Sequence, residues 1–315
     1  MTTQETAALL RTYDNVLILT HRRPDGDTIG CASALCIALR QLGRTAYLLY
    51  NRETTEHFLP YAQEFWAPEG FTPDHVVSVD IASLSLLPEN AEAYRDRIEL
   101  AIDHHPSFEH FAPQSCVIPE RAACGEILYE ILKELGQVNQ ETAVPLYVAV
   151  STDTGCFQYS NTTADTHRTA AALMETGIPA AELNKRHFRT KTLKRLRIES
   201  RIVEGMELFD GGETAVAAVD LAMVAQLGAD ERDLEDIASF VGQVEGVKNA
   251  ITIRELRPGT CKLSLRTDPE VLNASRVCAL LGGGGHAAAS GATVEGSVEE
   301  AKRAILWAIE QVRHG

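Results

Sequence analysis

Residues 15–42 read NVLILTHRRPDGDTIGCASALCIALRQL, and the order of apolar and polar positions in this stretch sets the fold. Residues 15–20 (NVLILT) form a short apolar run that closes on polar positions, and residues 28–42 (TIGCASALCIALRQL) carry apolar side chains at helical spacing. The stretch reads as strand, loop and helix. Further short apolar runs at 45–50 (TAYLLY), 75–79 (HVVSV) and 98–102 (IELAI) are separated by loops and helical stretches. Strands that alternate with helices pair in parallel, so the N-terminal part is expected to be α/β, with a doubly wound, mostly parallel sheet.

Downstream, residues 122–184 read as mainly helical. ACGEILYEILKELG ends at Gly136 and TADTHRTAAALMETG at Gly177, both glycines placed as C-caps. Between them STDTGCFQY carries Asp153. Residues 185–201 are basic, with Lys185, Arg186, Arg189, Lys191, Lys194, Arg195, Arg197 and Arg201 in one helical pattern that reads as a connection. Asp210-Gly211-Gly212 reads as a turn, residues 214–219, 247–254 and 260–266 as strands of a second sheet, and residues 297–312 as an amphipathic helix. The expected division is 1–184, a helical linker over 185–212, and a smaller α/β domain over 213–315.

The chain has 315 residues, enough for two cores. It holds 29 basic and 44 acidic residues, a net charge of −15, which argues against a protein that coats duplex DNA through a broad basic face and leaves room for a local basic groove. An acidic protein that handles anionic substrates needs concentrated cations, and divalent metals supply them. Seven cysteines without C-x-x-C spacing point to reduced thiols rather than a disulfide framework or a zinc ribbon. No signal-peptide pattern opens the sequence and no stretch approaches the ~18 apolar residues of a spanning helix, so a cytoplasmic enzyme away from membranes is expected.

Three of the N-terminal runs end in polar motifs: HRRPDGD, Asp80, and Asp103-His104-His105. Ligands of open α/β sheets collect outside the carboxyl ends of strands, so these motifs should converge. Singly, Asp25 and Asp27 with His21 could be a surface turn, Asp80 a helix N-cap, and Asp153 a turn or cap. Adjacent histidines after an acid and a buried strand are harder to explain as packing, since desolvated imidazoles need partners. Together His21, Asp25, Asp27, Asp80, His104 and Asp153 supply enough ligands for two divalent ions, with one carboxylate bridging. Such a pair suits hydrolysis of a phosphoester or phosphoanhydride. A second motif, Gly282-Gly283-Gly284-Gly285-His286, exposes successive N–H groups to an anion, with Arg266 on a neighbouring strand as a bidentate partner. By itself it also reads as a flexible loop.

HRRPDGDTIG, VSVDIAS, AIDHH, STDTGCFQYSNT and LLGGGGHAAASG occur in the order seen in the DHH phosphoesterase superfamily with its DHH-associated substrate-binding domain. The chain resembles the bacterial nanoRNase and pAp phosphatase type along nearly its whole length. The resemblance implies two domains with a cleft between them. It implies one metal on His21, Asp25 and Asp80, and another on Asp27, Asp80, His104 and Asp153. It further implies that Asp103 orients His104, that His105 faces the scissile phosphate as a donor, and that Gly283, Gly284, Gly285, His286 and Arg266 grip the substrate's remote phosphate or terminal nucleotide. Ser290 and Cys124 depart from the family pattern, Cys124 standing where a small hydroxyl residue is expected.

The function implied is a Mn²⁺-dependent phosphodiesterase with two ions per site, Mg²⁺ or Co²⁺ being substitutes. It would degrade short single-stranded RNA to mononucleotides and convert pAp to AMP. Cyclic di-AMP or pApA turnover is the enzymatic alternative, and a nucleotide-binding sensor the non-enzymatic one. A homodimer is compatible with the family. The basic stretch at 185–201 is either a solvated linker or a guide for RNA.

Overall fold

Val16 and Ile18 of β1 (Val16–Leu19) pack into one hydrophobic cluster and Leu17 and Leu19 into another, so this strand is buried on both faces. An unbroken apolar run requires that setting. In the computed structural model, which describes residues 1–234 and 237–314, β1 is joined by β2 (Ala46–Leu48), β3 (His75–Val79), β4 (Ile98–Asp103) and β5 (Gln114–Val117). All pairings are parallel, in the order β2-β1-β3-β4-β5. The chain reverses its direction of winding between β1 and β3, and the crevice beyond their carboxyl ends is where such sheets bind ligands. The parallel α/β architecture expected from the sequence is present, with β5 an additional edge strand.

Helices cover one face of the sheet: α1 (Thr3–Leu10), α2 (Gly26–Gln41), α4 (Cys124–Leu135) and α5 (Gln140–Asp153), with the short α3 (Leu59–Ala62) between them in the chain. The other face is closed by the 3₁₀ turns Leu84–Leu86 and Glu89–Arg97 and by Ile81, Leu87, Ala91 and Phe108. α2 and α5 approach each other at Gly30. A Cβ there would lie 2.3 Å from the Pro145 carbonyl oxygen and 2.9 Å from the Ala149 methyl. This close approach sets Asp27, at the start of α2, beside Asp153, the last residue of α5.

After α6 (Ala164–Glu175) and α7 (Ala180–Asn184), the basic stretch is two elements rather than one helical pattern. A π-helical turn, Lys185–Arg189, ends at Thr190 in extended conformation, and Thr192 caps α8 (Leu193–Glu204) by accepting the Arg195 N–H at 2.9 Å. The chain divides at this break, into units Met1–Thr190 and Lys191–Gly315. The cationic reading also loses two members: Lys191 and Arg195 both bind the buried Glu199 carboxylate.

The second unit holds a six-stranded sheet: β6 (Glu207–Phe209), β7 (Thr214–Val219), β8 (Asn249–Arg257), β9 (Thr260–Thr267), β10 (Gly284–Gly285) and β11 (Ala289–Glu295). Its order is β10-β11-β9-β8-β7-β6, and only β7 and β8 pair in parallel. Residues of β7 alternate between faces: Ala215, Ala217 and Val219 pack with α8, while Val216 packs on the other side. The remaining helices are α9 (Leu221–Leu227), α10 (Ile237–Val241), α11 (Ala274–Ala279) and α12 (Val298–His314), the last two closing the Val216 side. Among the described residues no helix is long and apolar enough to cross a membrane.

The α2–α5 contact leads to a test. Gly30→Val forces these helices apart, so the variant is expected to lose about 1–3 kcal/mol of stability, read by chemical denaturation.

Candidate metal centre

The loop after β1 is shaped by Asp25, which caps α2. Its Oδ1 accepts the N–H of Asp27 at 3.0 Å and of Thr28 at 3.2 Å. The Thr28 hydroxyl donates to the Val79 carbonyl at 3.0 Å, which pins the start of α2 to the end of β3. The next residue, Asp80, has φ +58°, and its N–H donates to the Ile102 carbonyl at 2.8 Å. No helix starts there. The left-handed turn delivers the Asp80 carboxylate into the crevice instead.

His21 and His104 are prepared in the same way. His21 Nδ1–H donates to the Arg22 carbonyl at 2.8 Å, and His104 Nδ1–H to the Arg121 carbonyl at 3.1 Å. In its neutral form each ring therefore presents a bare Nε2 lone pair. His21 Nε2 lies 3.6 Å from Asp25 and 3.7 Å from Asp80. His104 Nε2 lies 3.8 Å from Asp27, 3.6 Å from Asp80 and 3.5 Å from Asp153. These separations exceed hydrogen-bond length, yet ligands held ~2.1 Å from a common ion stand roughly 3.0–3.5 Å apart. His21, Asp25 and Asp80 form one cluster able to hold an ion, and Asp27, His104 and Asp153 another. Asp80 reaches both, through Oδ2 to the first and Oδ1 to His104.

Asp27 has a second task. α4 begins at Ala123, whose side chain gives no cap, and the Asp27 carboxylate replaces it: Oδ2 accepts the Cys124 N–H at 2.7 Å and Oδ1 the Gly125 N–H at 2.9 Å. The Cys31 thiol adds a third donor at 3.3 Å. Cys124 thus contributes its backbone N–H here, while its own Sγ turns to the Ile102 carbonyl. Sequence reasoning missed this trans cap; the signal was a helix start without a capping side chain. It also missed Glu126, a buried carboxylate that receives Arg121, the Ala122 N–H and the Thr166 hydroxyl, and so fixes the turn whose carbonyl holds His104.

Asp103 orients His105, not His104. Its Oδ1 accepts the His105 N–H at 2.6 Å and the His105 Nδ1–H at 2.8 Å, the buried carboxylate at the end of β4 turning forward onto the residue two places on. His104 is held by the Arg121 carbonyl instead. The bond from Nδ1 leaves His105 Nε2 clear of the Asp103 carboxylate.

Burial and the charges of Asp27 and Asp25 hold the Asp80 carboxyl well above the usual carboxylate range, and its Oδ1 has no hydrogen-bond partner. Burial and Asp27 likewise push Asp153 up to about 8. Burial opposes the charged form of His104, but Asp27 and Asp153 outweigh it and raise its pKa. This is the electrostatic condition of a site built for cations: carboxylates converge with too little positive charge to match them.

The Gly-rich motif lies in the second unit. It is a β-hairpin rather than a flexible loop: Gly284 pairs with Gly291, Gly285 with Ser290, and His286 and Ala289 exchange N–H···O bonds at 2.8 and 3.2 Å. A Cβ on Gly283 would sit 2.1 Å from the Gly291 carbonyl, and Gly285 has φ +144° with the Ala289 carbonyl 2.7 Å from its would-be Cβ. Only at Gly284 would a Cβ meet nothing without a left-handed backbone. Arg266 pairs in register with Ala289, and His286 is exposed at the turn. Ser290, on the strand opposite Gly285, is buried.

The raised carboxyls make the folded, metal-free protein bind more protons than the unfolded chain. Stability present below about pH 4 is therefore lost as pH rises through the folded values, toward about 8 for Asp153. Asp80→Asn removes one of these raised carboxyls and tolerates the left-handed backbone. Its metal-free melting temperature is expected to exceed the parent's at pH 8 and to fall less between pH 5 and 8.

Residues 15–150 match the family model described as DHH family, N-terminal domain, and residues 213–314 match the DHHA1 domain. The chain is 30% identical over 308 residues to the bifunctional oligoribonuclease and PAP phosphatase NrnA of Thermus thermophilus, covering 94% of this chain and 89% of that protein. The fold is similar to that of an exopolyphosphatase-related protein from Bacteroides fragilis, with a TM-score of 0.90 at 21% identity over 99% of this chain and 96% of that one. It is also similar to RecJ from Thermus thermophilus in complex with Mn²⁺, with a TM-score of 0.50 at 13% identity over 99% of this chain and 54% of RecJ. By both domain matches and by its likeness to NrnA, the chain belongs to the DHH phosphoesterase superfamily, in its NrnA type.

Proposed function

We propose that this protein is a manganese-dependent phosphodiesterase that hydrolyses very short oligoribonucleotides to mononucleotides and removes a phosphate from pAp. The observation that carries this reading is the buried Asp80 carboxylate, its Oδ1 without a hydrogen bond, set between His21 and His104. The names of the NrnA relative and of the manganese-bound RecJ agree with it.

His21, Asp25 and Asp80 are the residues to hold one ion, and Asp27, Asp80, His104 and Asp153 to hold a second. Bound there, two divalent cations supply an activated water and the positive charge that phosphoryl oxygens need. The chain's own residues do the rest. The Arg22 and Arg121 carbonyls fix the ring tautomers, and the start of α4 fixes the Asp27 carboxylate. His105, held through Nδ1 by Asp103, is assigned to a phosphate oxygen, to which its imidazolium form would donate from Nε2. In the second unit Arg266 and the hairpin around His286 are assigned to the far phosphate or terminal nucleotide.

The test is product release from RNA of two to about ten nucleotides, pAp, pApA, cyclic di-AMP and pyrophosphate, with Mn²⁺ and with chelator. Chelator-sensitive cleavage that is fastest on the shortest RNAs is expected; preference for a cyclic dinucleotide overturns the substrate assignment. Asp80→Asn should abolish turnover while remaining folded. Arg266→Ala should raise KM for a dinucleotide by about 10- to 150-fold, the range of one charge-assisted contact, with a smaller effect on kcat. Because Asp80 and Asp153 hold protons in the metal-free site, Mn²⁺ binding should release protons and strengthen from pH 6 to 8, measurable by calorimetry in buffers of different ionisation enthalpy.

A further inference from the structure

Directly after Asp153 the chain enters a left-handed turn. Gly155, Cys156 and Phe157 have φ of +55°, +56° and +67°, three consecutive left-handed residues, two of them with side chains that oppose it. The turn is tied down by Thr154: its carbonyl accepts the N–H groups of Gln158 and Tyr159 at 2.9 and 3.0 Å, and its hydroxyl accepts that of Phe157 at 3.2 Å. Phe157 goes inward, stacked on His167 with ring centroids 5.3 Å apart. Tyr159 goes outward and is 49% exposed. Its ring lies across Gly155, where a Cβ would come within 2.4 Å of the ring carbons. Two residues further on, the Asn161 amide donates to the carbonyls of Asp153 and Ala122 at 3.1 Å each, which fastens the turn to segments next to Asp153 and His104.

A large aromatic ring is thus held in a set position, in the turn that leaves Asp153, with half of its surface facing water. We propose that Tyr159 is a stacking platform for a nucleobase, that of the nucleoside joined to the phosphate under attack; this rests on the phosphodiesterase reading above. Stacking suits an enzyme that takes RNA of any sequence, because every base has a π-face. The strained turn and the bare Gly155 fix the ring before substrate arrives, which lowers the entropy cost of using it.

The test compares a dinucleotide with the same ribose–phosphate–ribose skeleton lacking bases. For Tyr159→Ala, kcat/KM on the dinucleotide should fall by about 5- to 150-fold, mainly through KM, and at least fivefold more than on the base-free substrate. Tyr159→Phe, which keeps the π-face, should restore it. Gly155→Ala, which pushes the ring aside, should reproduce the selective loss. Equal losses on both substrates, or no loss on either, overturn the proposal. If the parent protein cleaves neither substrate, the phosphodiesterase reading fails, and calorimetry decides the stacking separately. Tyr159→Ala should then weaken AMP binding and leave ribose 5-phosphate binding in place; unchanged AMP affinity overturns it.

Discussion

The carboxylate of Asp27 is the joint on which the catalytic unit turns. It is carried by α2, it satisfies the first backbone N–H groups of α4, and its side chain meets His104 across the crevice. A helix start buried without a cap is costly, since its N–H groups have no water to turn to. Using a site carboxylate for that purpose makes the fold and the site one bond network. The helix terminus also places partial positive charge against the carboxylate, which offsets part of the repulsion from its acidic neighbours.

That offset is incomplete, and the remainder shapes the rest of the centre. Asp80 is buried, left-handed and without a partner on Oδ1, a combination that lowers stability in isolation. It persists because rigid surroundings over-determine it: the Thr28 hydroxyl on the Val79 carbonyl, the Asp80 N–H on Ile102, and the parallel pairing of β3 with both β1 and β4. Sites where local preference and observed conformation disagree are where function is expected.

Much of this was legible in the sequence, for a physical reason. Strands buried on both faces must be apolar throughout, so β1, β3 and β4 announce themselves, and polar residues at their ends have only the crevice to enter. The convergence of the motifs at His21, Asp80 and His104 follows from that, whereas the set of His21, Asp25 and Asp80 was what the family resemblance implied. What escaped were relations through backbone atoms. The Arg121 carbonyl on His104 and the start of α4 on Asp27 involve groups that every residue possesses, so composition carries no trace of them. Asp103 was paired with the wrong histidine because spacing along a chain does not tell which of two adjacent rings a carboxylate faces. The basic stretch at 185–201 misled in another way: helical spacing persists across Thr190, where the backbone is extended.

The glycines of the second unit's hairpin stand under unequal constraints. Gly283 and Gly285 are obligatory because the neighbouring strand leaves their Cβ no room, so their identity reports packing and says little about ligands. Gly284 stands under no such constraint. A side chain there would cost the hairpin little, yet would project from the same edge as the exposed His286 turn. Among these glycines it is the position where a substitution can change the face of the hairpin without first costing foldability.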